Sequence, residues 1–582
     1  MKKLLLNLLG VTAMVLPLSL SAQTARVMAI HNSADPAVDT VDVWLTVSGV
    51  STKIADNLAF RQSTGFINAP AGVSIRLAFA PKTSTVIGDT LLGFGYNLVA
   101  NERYVLLAQG HVGTGFNPQF PFNLHVVNPV LERYTGAGDS TSLSVVHGAT
   151  DAPTVDVSLR IGNEDAGYLT NLDYNNNYKN VLLPVENYFI DLIPSNTEEV
   201  LITYAAPIKA LNLQDSAVVV FASGFLDPSK NKNGKPFGLF AALSNGTVVA
   251  LPVQNTFRLQ AFHNCADPAA DTVDVWLINN DNDTKTKLIP DFVFRKATPF
   301  INAPAGVDIG IGVAPRNSTE NDIIYTEEVG RVPGGYSAIA VAGGVLDTSK
   351  FQANPSGVEI SFAINGASAL EKSPVAGKVW LNVYHGSTDA PAVDVKVKNG
   401  PTLFSGLEFT DGGETGIAVT AQSYTIDITP AGSSTVVASY TAPLTGFADS
   451  GIVVIASGFL TPNVPTGRDA GAPFGLFAVT PSGNVIALPA ISTSVNDIRK
   501  SFSNLQLYPN PATSNIVIAS KELTSGTNIS LMDITGRVVL SYELSQENKE
   551  EVSLNIDGLN KGMYMVHIQN ASSSSVYKLI KQ

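Results

Sequence analysis

His31-Asn-Ser-Ala-Asp35, continuing to Val41-Asp42-Val43, is the stretch that decides the fold, because it occurs four times. It returns as His147-Gly-Ala-Thr-Asp151 with Val155-Asp156-Val157, as His263-Asn-Cys-Ala-Asp267 with Val273-Asp274-Val275, and as His385-Gly-Ser-Thr-Asp389 with Val393-Asp394-Val395. The histidines stand 116, 116 and 122 residues apart. A period of that length is a whole domain with its own core, rather than a solenoid unit that needs neighbours to fold.

Around the motif each copy reads as β structure. Val379, Leu381, Val383 and His385 lie on one face by the two-residue alternation of a strand, and the other copies repeat the pattern. A turn rich in Asp, Pro, Ala and Gly follows, and then the Val-Asp-Val strand, with its aspartate facing away from the valines. A late strand ends in glycine in each copy, at Gly110, Gly224, Gly343 and Gly458. Phe66-Ile-Asn-Ala-Pro-Ala-Gly72 returns only at 300–306, and Pro236-Phe-Gly-Leu-Phe-Ala241 only at 473–478. The order is therefore A-B-A-B, a duplicated two-domain cassette.

The expected fold is all-β: tandem antiparallel β-sandwiches of Ig-like, Greek-key type, with a small C-terminal β-sandwich. The expected divisions are a signal peptide (1–22), repeats at 23–138, 139–255, 256–374 and 375–492, a linker (493–502) and a C-terminal module (503–582).

Only 15% of residues are charged, against roughly 25% in an average globular protein. The net charge of −13 argues against nucleic acid as a partner. Lys2-Lys3, the apolar run Leu4 to Leu18 and small residues to Ala22 read as a secretory leader cleaved near 21–22. No later stretch is apolar for long enough to span a bilayer. The single cysteine, Cys265, stands where other copies carry Ser33, Ala149 and Ser387, so a small residue suffices there.

The candidate site is the His/Asp turn: His31, Asp35 and Asp42; His147, Asp151 and Asp156; His263, Asp267 and Asp274; His385, Asp389 and Asp394. With Asp39 and Asp271, such an oxygen-rich group suits calcium, although the spacing matches no EF-hand. The preferred reading is structural, a histidine that closes the apolar row and aspartates that accept backbone N–H bonds in a tight turn. Ser223 and Ser457 are the only serines suggestive of a nucleophile, and no Gly-x-Ser-x-Gly elbow surrounds them. Trp44 and Trp276 align between copies and read, with Trp380, as covering a sheet face against a neighbouring domain, or else as a sugar-stacking platform.

The C-terminal residues Tyr508-Pro509-Asn510-Pro511, Asp533-Ile-Thr-Gly536-Arg537, Gly562-Met-Tyr564 and Lys578 resemble the type A sorting domain of the type IX secretion system. The resemblance implies the type IX machinery as a partner and delivery to the exterior of a Gram-negative outer membrane, released or attached to lipopolysaccharide. The four repeats resemble the secreted bacterial family known as domain of unknown function 4397, through His-x-x-x-Asp with Val-Asp-Val and the late Ala-Ser-Gly strands at Val219–Gly224 and Val453–Gly458. Domains one and three depart from it, with two extra residues before Val-Asp-Val. The functional expectation is a non-enzymatic adhesion, glycan-binding or spacer array. A calcium-dependent or hydrolytic enzyme acting on polysaccharide is the competing reading.

Overall fold

The computed structural model describes residues 23–582 apart from 137, 414, 463–470, 492–501, 503, 534–536, 546–549 and 571–572. The expected leader, nearly all of the expected linker and Gly536 lie outside the described residues. The chain divides into two compact units, one ending at Ala490 and one spanning Ile491–Gln582.

Among the described residues of the first unit the strands pair into eight sheets, two for each repeat. In domain one, Thr24–His31 lies between Ser63–Pro70 and Arg103–Gln109, and Asn123–Val127 closes that sheet. The second sheet places Thr40–Val47, which carries Val41-Asp42-Val43, between Val50–Ala59 and Ser74–Pro81. Its outer strand is Leu92–Asn97. Domain two repeats the plan around Ser140–Val146 and Val155–Ile161, domain three around Thr256–His263 and Thr272–Asn279, and domain four around Lys378–His385 and Val393–Val397.

The repeats are tandem β-sandwiches of largely antiparallel sheets, with one parallel pair in each that the sequence pattern does not predict. In every repeat the opening strand runs parallel to the late strand: Thr24–His31 to Arg103–Gln109, Ser140–Val146 to Ala217–Ser223, Thr256–His263 to Ser337–Gly343, and Lys378–His385 to Gly451–Ser457. A parallel pair needs a long crossover, and here the whole second sheet supplies it.

The sheet holding this pair is apolar on both faces. In domain one, Val27, Leu106 and Ala108 point into the sandwich with Val43, Leu77 and Phe79. The alternate residues Met28, Ile30, Val105 and Leu107 pack against Val146, Val219, Phe221 and Ala242 of domain two. Domains three and four repeat this joint with Phe262, Ile339 and Val341 against Trp380, Tyr384, Val453 and Ile455. Burial on both faces explains the unbroken apolar runs Tyr104–Ala108 and Ala217–Ala222, in which strand alternation is lost.

The second unit packs the sheet of Gln506–Tyr508, Asn515–Ala519 and Glu551–Asn555 on that of Val538–Glu543, Asn528–Met532, Gly562–Gln569 and Ser574–Lys581. Ile516, Ile518, Leu531, Val566 and Ile568 form its core.

Candidate functional site

His31, His263 and His385 end their opening strands, His147 directly follows its own, and all four are buried. Its Nε2–H donates to a carbonyl of the following turn: Val38 (2.6 Å), Pro153 (3.1 Å), Ala270 (2.8 Å) and Pro391 (3.1 Å). A carbonyl can only accept, so the proton sits on Nε2. Burial pushes His31 and His263 down to about 4, and lowers His147 and His385 as well. Nδ1 differs between the domain types. In the A type it accepts Ser33 N–H (3.4 Å) or Cys265 N–H (3.3 Å). In the B type, Nδ1 of His147 and of His385 is buried without a partner.

The turn aspartate fastens the turn to the loop beyond the late strand. Asp35 accepts N–H bonds from Ala37 (2.9 Å), Val112 (3.0 Å) and Gly113 (2.9 Å). Asp151 accepts from Leu226 and Asp227 and from Asn231 Nδ2. Asp267 accepts from Ala269 and Leu346, and Asp389 from Leu460 and Thr461.

The strand aspartate has a different task. The neighbouring strand is bulged beside it in all four domains. The bulge places one residue in the left-handed region, and the carboxylate accepts that residue's N–H: Asp42 from Asn57 (2.8 Å), Asp156 from Asn171 (2.7 Å), Asp274 from Asp291 (2.9 Å) and Asp394 from Gly406 (2.9 Å). Burial works against the charge of Asp42 and Asp274, yet Lys53 and Lys287, at 2.8 and 2.7 Å, hold both carboxyls below the usual range. In Asp156 the Asn171 N–H, and in Asp394 the Gly406 N–H, does the lowering.

The histidine, the turn aspartate and the strand aspartate therefore serve three separate structural tasks and do not converge on a common point. Among the described residues no group of three metal-ligating side chains is found.

What the motif does bring together is the two domains of a cassette. Asn32, beside His31, donates to the carbonyls of Gly148 (3.2 Å) and Ala222 (3.1 Å) in domain two, and Asn264 repeats this on Gly386 and Ala456. Arg61 donates to Ser223 Oγ (3.0 Å) and to the carbonyls of Ser223 and Pro236, and its guanidinium lies 4.1 Å from the Phe240 ring centroid. Arg295 does the same with Ser457, Pro473 and Phe477. The two serines weighed as nucleophiles are thus held by an arginine of the preceding domain. These arginines were missed in the sequence, although Phe60-Arg61 and Phe294-Arg295 recur in the A copies alone.

A further joint links domains two and three. Arg160, paired with the buried Asp191, donates to the Gly334 carbonyl (2.9 Å), and Asn163 exchanges bonds with the backbone of Ser337.

Trp44 and Trp276 cover a sheet face of their own domain rather than a neighbour's. Each indole N–H donates to a serine, Ser84 or Ser318, and Trp44 packs on Ala78 and Ala80. Trp380 lies in the apolar joint between domains three and four.

In the C-terminal unit, Asn510 bonds the last strand twice, donating to the Lys578 carbonyl (2.6 Å) and accepting from Ile580 N–H (2.9 Å). Tyr508 donates to Glu551 (3.0 Å), and Pro509 and Pro511 follow cis peptide bonds. Asp533 accepts from Arg537 (3.2 Å). Gly562 opens the strand that contains Tyr564, whose hydroxyl donates to the Asn560 carbonyl.

The fold defines a class, an array of β-sandwiches with a small β-sandwich module at residues 506–582. Residues 506–582 match the family of secretion system C-terminal sorting domains, and this module is a type IX secretion sorting domain. The chain is a secreted or cell-surface protein of a Bacteroidetes-type Gram-negative bacterium. The sorting domain implies interaction with the secretion machinery. No helix among the described residues is long and apolar enough to cross a membrane.

No curated protein matches the chain. Several solved structures are distantly similar, among them the following three. The Bacillus anthracis TIE protein is 10% identical over 77% of this chain and 75% of its own, with a TM-score of 0.11. The BSP domain of a biofilm-associated protein is 9% identical over 79% and 92%, with a TM-score of 0.12. PorZ, a surface component of the Porphyromonas gingivalis type-IX secretion system, is 11% identical over 92% and 89%, with a TM-score of 0.12. Likeness at that level carries no argument about this chain.

Proposed function

We propose that the four repeats form a non-enzymatic binding array, displayed outside the cell by the type IX machinery, with surface polysaccharide or lipopolysaccharide as the partner class. A leader cleaved near residues 21–22 would bring the chain to the periplasm. The repeats would belong with the family known as domain of unknown function 4397. One observation carries this reading: Asn32 and Arg61, and their copies Asn264 and Arg295, hold each A domain to its B partner, the arginines occupying Ser223 and Ser457, at joints that recur from cassette to cassette. Fixed spacing lets weak sites on one chain act together, and linking them gains roughly 10²–10⁴ in avidity when the geometry matches.

The test passes the secreted protein over immobilised lipopolysaccharide and capsular polysaccharide, beside a chain lacking residues 256–490. Retention of the four-domain form that collapses when one cassette is removed supports the array. Equal passage of both forms without retention contradicts it.

A further inference from the structure

Domains two and four each hold a partly open cavity between their two sheets, of about 440 and 420 Å³. The two occupy the same place in the fold. Val157, Leu192, Ala222 and Phe237 line the first, and their counterparts Val395, Ile428, Ala456 and Phe474 line the second. Both are walled almost wholly by aliphatic and aromatic side chains, and both fall in the roughly 300–1,000 Å³ range of small-molecule sites. An apolar cavity of this kind excludes water, and leaving it empty destabilises the fold in proportion to its volume.

Two further features point to a ligand. Large aliphatic side chains on the cavity wall stand exposed, Leu201, Leu226 and Val253 in domain two and Val437 and Leu460 in domain four. Leu226 and Leu460 are 44% and 48% exposed, although each directly follows a buried phenylalanine, Phe225 or Phe459. An exposed apolar rim beside an apolar cavity is an entrance for an apolar molecule. The second feature is the histidine. His147 and His385, 2% and 3% exposed, are wall residues, and each keeps a partnerless Nδ1. Nε2 already holds the proton, so Nδ1 is left as a buried acceptor.

The A-type domains carry aromatic pairs beside the corresponding space. Domain one carries Phe79 where domain two has Leu192, and its ring packs on Phe94 and Phe122 with centroids 6.3 and 5.3 Å away. In domain three Tyr325 packs edge-on against Phe362 at 4.9 Å. The histidine Nδ1 is satisfied internally in both.

We propose that each B-type domain binds one aliphatic chain bearing a hydroxyl, with the chain between the two sheets and the hydroxyl donating to Nδ1 of His147 or His385. Such a chain could come from a free amphiphile or from a membrane lipid.

The test uses the secreted full chain, with 1-dodecanol and lauroyl lysophosphatidylcholine as probes, followed by titration calorimetry and native mass spectrometry. The expected stoichiometry for dodecanol is two molecules per chain. Leu192→Phe, which copies Phe79, should leave one, and Leu192→Phe with Ile428→Phe should leave none. Binding of dodecanol alone assigns the free amphiphile, and binding of the lysophospholipid as well assigns a membrane lipid. Binding of neither probe overturns the proposal, as does unchanged stoichiometry in double-filled protein that still melts cooperatively. Should the filled variants fail to fold, a photoreactive dodecanol on the unaltered chain decides. Labelling within 190–204 and 426–440 is expected, and labelling confined to other segments overturns the site.

Discussion

Arg61 of the first domain donates from Nε to Ser223 Oγ of the second at 3.0 Å, and this one bond ties the late strand of a B domain to the loop of its A partner. The half-buried guanidinium also satisfies two carbonyls, and burial lowers it to about 10. Arg61→Ala leaves those carbonyls unpaired and removes the stack on Phe240, at a cost of about 2–4 kcal/mol to the cassette. In calorimetry of the mature chain, the transition of domains one and two should split, and Arg295→Ala should act equivalently on domains three and four. Arg61→Lys keeps the charge without the fork, so it should recover only part of the loss.

Asp42→Asn should destabilise domain one by roughly 2 kcal/mol, because a fully buried carboxylate loses charge-assisted bonds from Lys53 and Ser84. Asp156→Asn should cost less, since Asp156 is only half-buried and bonds Asn171, Ser195 and Tyr168 without a cation. Denaturant midpoints of the two variants give the comparison directly.

Acid should weaken the fold well above the carboxylate range. His31 and His263 stay neutral down to about 4 when folded, whereas an unfolded imidazole protonates near 6.5. Between these values the unfolded chain binds more protons, so the stability these two histidines allow falls as pH drops from 6.5 toward 4, and their own contribution changes no further below that. Each of these histidines accounts for on the order of 3 kcal/mol. Denaturant midpoints measured across that window should fall, and His31→Gln should reduce the dependence for domain one, leaving the part set by His111 and His125, which burial also lowers.

Cys265 should be inert in the folded chain. It is buried, burial pushes its thiol up to about 12, and Sγ–H points to the Gly344 carbonyl at 3.2 Å. A thiol reagent should react only after unfolding. Cys265→Ser should cost less than about 1 kcal/mol, because Ser33 and Ser387 make the same bond to Gly110 and Gly458 at 2.6 and 2.7 Å.

The regular parts of this architecture were legible in the sequence, and the joints were not. The period of the histidines and the alternation before His385 delimit strands without any knowledge of partners. The A-B-A-B order likewise follows from Phe66–Gly72 and Pro236–Ala241. The bond from Arg61 to Ser223 joins residues 162 apart, and its meaning depends on which sheet faces which. Asp42 and Asp35 look like one acidic cluster in sequence. Strand register sends the first to a bulge at Asn57 and the second to the loop at Val112. The parallel pair is not legible for a related reason: both strands are apolar on two faces, so alternation gives no hint of direction.

Native-state hydrogen exchange of the mature chain, followed across sub-denaturing guanidinium, tests most directly whether an A domain and its B partner behave as one cassette. Amides of Thr24–His31 and Ser140–Val146 should open with the same free energy and denaturant slope, and Arg61→Ala should separate them. Independent opening of the two strands in the unaltered protein would contradict the cassette.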